Sequence, residues 1–159
     1  MEILDLYDKN YKKVGKTIVR GEKPSKDFFI RVVIVYIENS KHEFLFQMTS
    51  KEKKSVYAVT GGHVKAGATP LTTIQEEVFE ELGIKIPKIK FKHIYRNHKN
   101  NVILDAYYVK MDLNISDLKL QKEEVEYVKW FSKEELRKIR KQKNIREASF
   151  AVMEELNLL

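Results

Sequence analysis

The sequence predicts an α+β fold, specifically an α/β/α sandwich with a mixed β-sheet. Short segments rich in β-branched and aromatic residues predict strands, and only a few segments between them have the periodicity of helices. No internal repeat and no linker rich in Gly, Pro or Ser interrupts the 159 residues. We therefore expect a single domain over residues 1–159.

Local patterns place the elements in order along the chain. The segment 28–37 (FFIRVVIVYI) is apolar almost throughout, which is typical of a strand buried on both faces. The expected strands are a ribbon over 4–20 that turns at residues 8–10, then 28–37, 42–48, 56–60, 89–96, 102–111 and 125–131. The expected helices are 69–82, 132–141 and 144–156.

Composition excludes several classes of protein. Cysteine is absent, which excludes disulfides, cysteine-ligated zinc, iron–sulfur clusters and thiol nucleophiles. No stretch approaches the ~20 apolar residues of a membrane span, and the first residues lack the pattern of a secretory signal. We therefore expect a cytoplasmic protein that makes no membrane contact. Its net charge of +7 favours anionic partners.

The stretch 137–146 holds six Lys or Arg residues and no acidic residue. One interpretation is a solvated helix end, where cations also suit the helix dipole. The other is contact with nucleic acid, because clustered cations supply affinity for phosphates. The sequence favours the first interpretation and leaves the second open.

Four of the six glycines lie close to the predicted helix 69–82. Gly61 and Gly62 follow a predicted strand, where glycine permits a positive φ or a close approach to the backbone. Thr69 is a favourable N-cap residue, and Pro70 is favourable at the first helical position. Gly83 is favourable just after the helix, where the backbone often adopts a left-handed conformation. The helix is therefore specified at both ends.

This helix has an apolar stripe and a neighbouring acidic face. The stripe consists of Leu71, Ile74, Val78 and Leu82. Glu77, Glu80 and Glu81 spread over about 100° of the neighbouring face, at the spacing that brings side chains together. Such carboxylates repel one another unless a hard cation such as Mg²⁺ neutralises them. A solvated acidic face would explain the glutamates alone, but the adjacent glycines favour a metal site.

Residues 62–84 resemble the signature box of the Nudix hydrolases, Gly-x5-Glu-x7-Arg-Glu-U-x-Glu-Glu-x-Gly-U, where U is aliphatic. The matching residues are Gly62, Glu77, Val78, Glu80, Glu81, Gly83 and Ile84. Two positions depart, because Ala68 stands where the first Glu belongs and Glu76 where the Arg belongs. In the family that Arg is thought to hold a metal-binding Glu by hydrogen bonds, which an ionised Glu76 cannot donate.

The resemblance implies an activity, a cofactor and a set of site residues. The activity is hydrolysis of a nucleoside diphosphate linked to another group, by attack of water assisted by Mg²⁺ or Mn²⁺. Glu77, Glu80 and Glu81 would hold the metal and act in catalysis, with the backbone carbonyl of Gly61 as a further ligand. One of these glutamates, or a carboxylate from another segment, would orient or deprotonate the water.

The resemblance also extends, more weakly, towards both ends of the chain. Residues 5–8, 17–22 and 124–126, with Trp130, look like the Nudix branch related to isopentenyl-diphosphate isomerase. An isomerase is nevertheless disfavoured, because the related isomerases use a catalytic cysteine and this chain has none.

Other residues carry predictions that each have a structural alternative. Glu124 and Glu126 alternate onto one face of a predicted strand, so either could be the additional metal-binding carboxylate, or both could lie on a solvated edge. Arg31 interrupts an apolar strand, as a phosphate clamp or a structural salt bridge would. His63 could face substrate or metal, or lie at the surface. The candidate substrate-binding residues are Arg31, Gly62, His63 and Lys65.

A second class of function stays open beside the hydrolase. A Nudix-like module that binds nucleotide or RNA without hydrolysing it is consistent with Ala68, Glu76 and the basic stretch 137–146. The edge strands and the N-terminal ribbon are also compatible with a homodimer. Metal-dependent phosphate release would separate the hydrolase from the binding module.

Overall fold

The computed structural model describes residues 1–159 and contains nine β-strands and three α-helices. The strands are β1 (Ile3–Tyr7), β2 (Lys13–Val19), β3 (Ile30–Glu38), β4 (Phe44–Thr49), β5 (Tyr57–Ala58), β6 (Gly61–His63), β7 (Lys92–Lys99), β8 (Val102–Lys110) and β9 (Val125–Phe131). The helices are α1 (Pro70–Leu82), α2 (Lys133–Arg140) and α3 (Glu147–Glu155). None of these helices is both long and apolar enough to cross a membrane.

Seven of the strands form one mixed sheet, which confirms the predicted fold class. The main path runs in the order β5-β4-β3-β8-β7, while β6 pairs with β3 and β9 pairs with β4. The central pair β3–β8 is parallel, and the other pairs are antiparallel. The two remaining strands, β1 and β2, form a separate antiparallel ribbon, as expected for the segment 4–20.

The apolar segment of β3 is buried on both faces because helices cover both sides of the sheet. Val33, Val35 and Ile37 join the core that includes the apolar stripe of α1. Ile34 and Tyr36, which alternate with them, join a second core that includes residues of α2 and α3. Successive side chains of a strand point to opposite faces. The chain is therefore a three-layer α/β/α sandwich, and β3 lies at its centre.

Helix α1 begins and ends as its sequence predicts. The hydroxyl of Thr69 accepts a hydrogen bond from the Thr72 amide (3.2 Å), and Pro70 occupies the first turn. Gly83 adopts a left-handed conformation (φ 70°), and its N–H donates to the carbonyl of Phe79. These two ends fix where the helix starts and stops, and the burial of its apolar stripe against the sheet sets which of its glutamates face the cleft.

The glycine segment before α1 differs from its prediction. The sequence predicts a strand over 56–60 followed by a glycine loop, but only Tyr57–Ala58 forms that strand, and Gly61–His63 is itself the strand β6. A Cβ on Gly61 would lie 2.3 Å from the carbonyl oxygen of Val33, so only glycine permits this close pairing with β3. The two glycines are therefore needed for close packing, and neither adopts a positive φ.

Candidate active site

A cleft of about 350 Å³ opens where β4, β6 and the start of α3 meet. Its polar wall includes Glu81 from α1, Glu124 from the segment before β9, and the β6 residues 61–63. Its apolar lining consists of Val32, Ile34, Val59, Leu104 and Ala148. The cleft therefore places acidic groups beside an apolar surface.

The carboxyl groups of Glu77 and Glu81 adjoin each other beside this cleft. They are four residues apart and so lie roughly 40° apart around α1. Glu81 is only 5% exposed. Burial, followed by the neighbouring Glu77, raises the pKa of Glu81 to about 9. Burial also raises the pKa of Glu77, so the two groups share a proton near neutral pH when no cation is present.

Gly62 leaves the space that the carboxyl group of Glu77 occupies. A Cβ at position 62 would lie 2.5 Å from Cδ and 2.7 Å from Oε1 of Glu77. Gly62 therefore lines the cleft and, because it has no side chain, also leaves room for the Glu77 carboxylate in its observed position.

Gln47 holds Glu81 in place, a role that the sequence did not reveal. Its Nε2 donates to Oε1 of Glu81 (3.2 Å), and its own Oε1 accepts from the Thr60 hydroxyl (3.3 Å). Every residue of β4 is buried, and Gln47 is the one side-chain amide in this mostly apolar strand. A buried amide inside an apolar strand is the signal that could have identified it. It supplies a hydrogen bond to a box glutamate where Glu76 cannot.

The oxygen donors around the carboxyl pair fit a hard divalent cation. In the antiparallel pair β3–β6, hydrogen-bonded and non-hydrogen-bonded residue pairs alternate, and the pair Val35–Thr60 is hydrogen-bonded. The next residue, Gly61, therefore occupies a non-hydrogen-bonded position, and the carbonyl of Gly61 points away from β3. Glu124 lies close enough to raise the pKa of both Glu77 and Glu81. No three acidic or histidine side chains converge on one point. Mg²⁺ keeps several waters and needs only one or two carboxylates, so this donor set suits it.

Glu80 is not brought into the cleft. It is exposed and, with Glu76, lines a separate shallow depression on the outer side of α1. Glu80 lies roughly 60° around the helix from Glu77 and roughly 100° from Glu81, so it stands at the solvent-exposed edge of their face. Its charge still contributes to the raised pKa of Glu77.

His63 lines the cleft, whereas Lys65 stands outside its lining. His63 is half-buried in β6, and burial together with the nearby Arg20 lowers its pKa, so the ring is neutral at pH 7. Lys65 is exposed and pairs with Glu2 (3.6 Å). Its charge also opposes the rise in the pKa of Glu77.

Arg31 does not reach the cleft, and the structure supports the salt-bridge alternative for it. Its Nε and Nη2 donate to the two carboxylate oxygens of Asp105 (2.6 and 3.3 Å). Both residues are buried, and Arg31 shares the strand face of Val33, whereas the cleft is lined by the neighbouring Val32. A phosphate in the cleft is therefore out of reach of this guanidinium.

Three other cations line the cleft instead, and the sequence did not single them out as site residues. Arg20 pairs with Glu2 (2.9 Å), and Lys53 pairs with Glu124 (3.6 Å). Arg146 forms no ion pair, although Arg140 in the same basic stretch pairs with two glutamates of α3. Arg20 and Arg146 are far apart in sequence and meet only through the fold.

The two glycines of β6 yield a prediction with an internal control. We expect Gly62→Ala to lower hydrolytic activity by about tenfold, because the new methyl group displaces the flexible carboxyl end of Glu77 at little cost in stability. Gly61→Ala should instead destabilise the fold by about 1–3 kcal/mol, because its methyl group meets the backbone of β3. Activity assays and denaturant unfolding of both variants measure this difference. Equal losses of stability would contradict it.

Comparison with known proteins assigns the family. Residues 28–155 match the family model described as NUDIX domain. The chain is 34% identical over 145 residues to an uncharacterized Nudix hydrolase of Listeria monocytogenes, an alignment that covers 88% of this chain and 85% of that protein. Its fold resembles the crystal structure of a Deinococcus radiodurans protein, with a TM-score of 0.78, 20% identity, and coverage of 96% of this chain and 98% of the other.

A further solved structure, a NUDIX hydrolase from Nitrosomonas europaea, matches with a TM-score of 0.65 and 19% identity, over 81% of this chain and 88% of the other. The likeness to both structures concerns the fold. The match to the family model and to the Listeria protein confirms the resemblance of the sequence to the Nudix family. The chain therefore belongs to the Nudix family of hydrolases.

Proposed function

We propose that this Nudix hydrolase cleaves the diphosphate bond of a nucleoside diphosphate linked to another group, with Mg²⁺ or Mn²⁺ held at Glu77 and Glu81. The observation that carries the proposal is the adjoining, largely buried carboxyl pair beside a cleft lined by three cations. Phosphates complement these cations, and a divalent cation neutralises the carboxyl pair. When bound, the cation would offset charge on the phosphates and lower the pKa of the attacking water.

The residues around the pair have complementary roles in this proposal. Glu77 and Glu81 hold the cation together with the Gly61 carbonyl, and Glu124 lies on another wall of the same cleft. One carboxylate of this group also orients the attacking water. The neutral imidazole of His63 is available to hydrogen-bond a phosphate oxygen. Positioning and neutralisation of charge are what phosphoryl transfer mainly requires.

The test is a screen for cleavage of the diphosphate bond in the presence of Mg²⁺ or Mn²⁺, with the two monophosphate products separated and measured by chromatography. Its substrates are nucleoside-diphosphate derivatives, nucleotide sugars, dinucleotides and prenyl diphosphates. We expect metal-dependent hydrolysis of at least one diphosphate bond, and its abolition by a chelator. Hydrolysis of no compound in the screen, or hydrolysis that persists without metal, would overturn the proposal.

Gln47→Leu tests the support that Glu81 receives. The substitution keeps the size of the side chain but removes the donor to the carboxyl group of Glu81. We expect activity or metal affinity to fall about 10- to 100-fold, which is typical when a hydrogen-bond partner of a metal ligand is removed. Gln142→Leu, at an exposed position outside the cleft, is the control and should change neither. Full activity in Gln47→Leu would mean that Glu81 is positioned by other contacts.

A further inference from the structure

A second depression adjoins the cleft, and Lys53 and Arg146 line both spaces. The second depression has a volume of about 370 Å³. Its lining consists of Glu52, Lys53, Lys54, Val56, Ile145 and Arg146. Because the same two cations line both spaces, a ligand bound at the carboxyl pair can extend past them into the second depression.

Backbone hydrogen bonds hold both sides of this junction. On one side, the Arg146 amide donates to the carbonyl of Tyr57 (2.9 Å), and the Tyr57 amide donates to the carbonyl of Asn144 (2.9 Å). On the other side, the Lys53 amide donates to the carbonyl of Ser50 (2.9 Å), and the Ser50 hydroxyl donates to the Glu123 carbonyl (2.7 Å). The backbone that carries the two cations is therefore ordered without a ligand.

The charge of the junction is only partly neutralised within the protein. Lys53 pairs with Glu124, but Arg146 and Lys54 form no ion pair. The second depression thus holds three cations against the single carboxylate of Glu52. A guanidinium without a carboxylate partner can bind phosphate or carboxylate oxygens through two parallel hydrogen bonds.

We propose that the substrate carries a third anionic group beside its diphosphate, and that Arg146 and Lys53 bind this group at the junction. The proposal rests on the proposed function, in which the diphosphate lies beside Glu77 and Glu81. The third anion is then either a further phosphate in the same chain or a charged group on the moiety that the diphosphate links to the nucleoside.

The first experiment compares inorganic diphosphate with inorganic triphosphate, which differ by one anionic group. Binding of each to the wild type is measured by calorimetry with MgCl₂, and phosphate release is assayed in parallel. We expect the triphosphate to bind about tenfold more tightly, a modest factor because Arg146 is exposed to solvent. Arg146→Gln should reduce this preference to about twofold or less. Arg137→Gln, from the same basic stretch but outside both spaces, is the control and should retain it.

Two nucleotide pairs then identify the source of the third charge. UTP is compared with UDP, which tests a further phosphate, and UDP-glucuronate with UDP-glucose, which tests a charged distal group. A preference in either pair that Arg146→Gln removes supports the proposal. The proposal is overturned, even if hydrolysis is intact, if the wild type binds both members of all three pairs equally well. It is also overturned if Arg137→Gln loses the preference for the more charged ligand as fully as Arg146→Gln does. If the ligand with the additional charge binds more tightly but no compound is hydrolysed in a metal-dependent reaction, the proposed function is overturned instead.

Discussion

Glu81→Gln is expected to lower hydrolytic activity about 100- to 1,000-fold, which corresponds to ~3 to 4 kcal/mol of activation barrier. The physical reason is that the substitution removes one of the two adjoining carboxylates proposed to hold the cation. The amide is nearly the same size, and it can still hydrogen-bond to Glu77, so the fold should remain intact. Steady-state kinetics across a range of Mg²⁺ concentrations, with circular dichroism of the variant, measures both effects.

The same substitution should raise the stability of the metal-free protein at alkaline pH. The pKa of Glu81 is raised from 4.5 to about 9 in the folded state. Its contribution to stability is therefore fully present below pH 4.5 and is lost as the pH rises towards 9. We expect the melting temperature of Glu81→Gln to exceed that of the wild type near pH 8 and to match it near pH 4.

Glu76→Gln is the matched control for both measurements, because it removes one carboxylate from the same helix but outside the cleft. It should change activity little and leave the pH dependence of stability as it is in the wild type. A Glu81→Gln variant that loses metal-free stability near pH 8 would contradict the account, because Glu81 would then have a structural role.

Asp105→Asn is expected to destabilise the protein by about 3–5 kcal/mol. Asp105 is fully buried and accepts hydrogen bonds from Arg31, Arg96 and His93. Burial alone would raise its pKa, but these three partners hold the pKa below its usual range. Asparagine would leave the buried guanidinium of Arg31 without a counter-charge. Urea unfolding measures the difference in the free energy of unfolding between the wild type and the variant. This difference should shrink as the pH falls below about 4, because the carboxylate of the wild type is then protonated.

The control for this prediction is Arg96→Gln. Its side chain is 38% exposed, so its loss should cost much less than that of Asp105. The folded fraction of Asp105→Asn should keep normal activity, because this cluster lies outside the cleft. A loss of activity without a loss of stability would instead connect Arg31 with the reaction.

Much of the fold follows from local patterns in the sequence. The caps Thr69 and Gly83 define α1, and the apolar spacing of its stripe fixes which side faces the sheet. The uninterrupted apolar segment of β3 indicates burial on both faces, and the structure confirms it. These predictions succeed because propensity, capping and periodicity act over a few neighbouring residues.

The parts that could not be predicted depend on contacts between distant segments. Arg31 shows no partner in the sequence because Asp105, to which it binds, is 74 residues away. Gln47 reaches Glu81 only because β4 lies beside the glutamate face of α1. The extended conformation of β6 arises from its pairing with β3, whereas local glycine content suggested a loop. Helical spacing alone also grouped Glu80 with Glu77, although the packed helix turns Glu80 to solvent.

The central claim is that Glu77 and Glu81 form a divalent-cation site at the cleft. Titration calorimetry with Mn²⁺ near pH 7, repeated in buffers of different ionisation enthalpy, tests it most directly because it counts the protons that are released. The carboxyl pair shares a proton in the metal-free protein, so we expect the wild type to release about one proton per bound cation. Glu81→Gln should bind more weakly and release none. Binding of Mn²⁺ without proton release, with equal affinity in the variant, would contradict the claim.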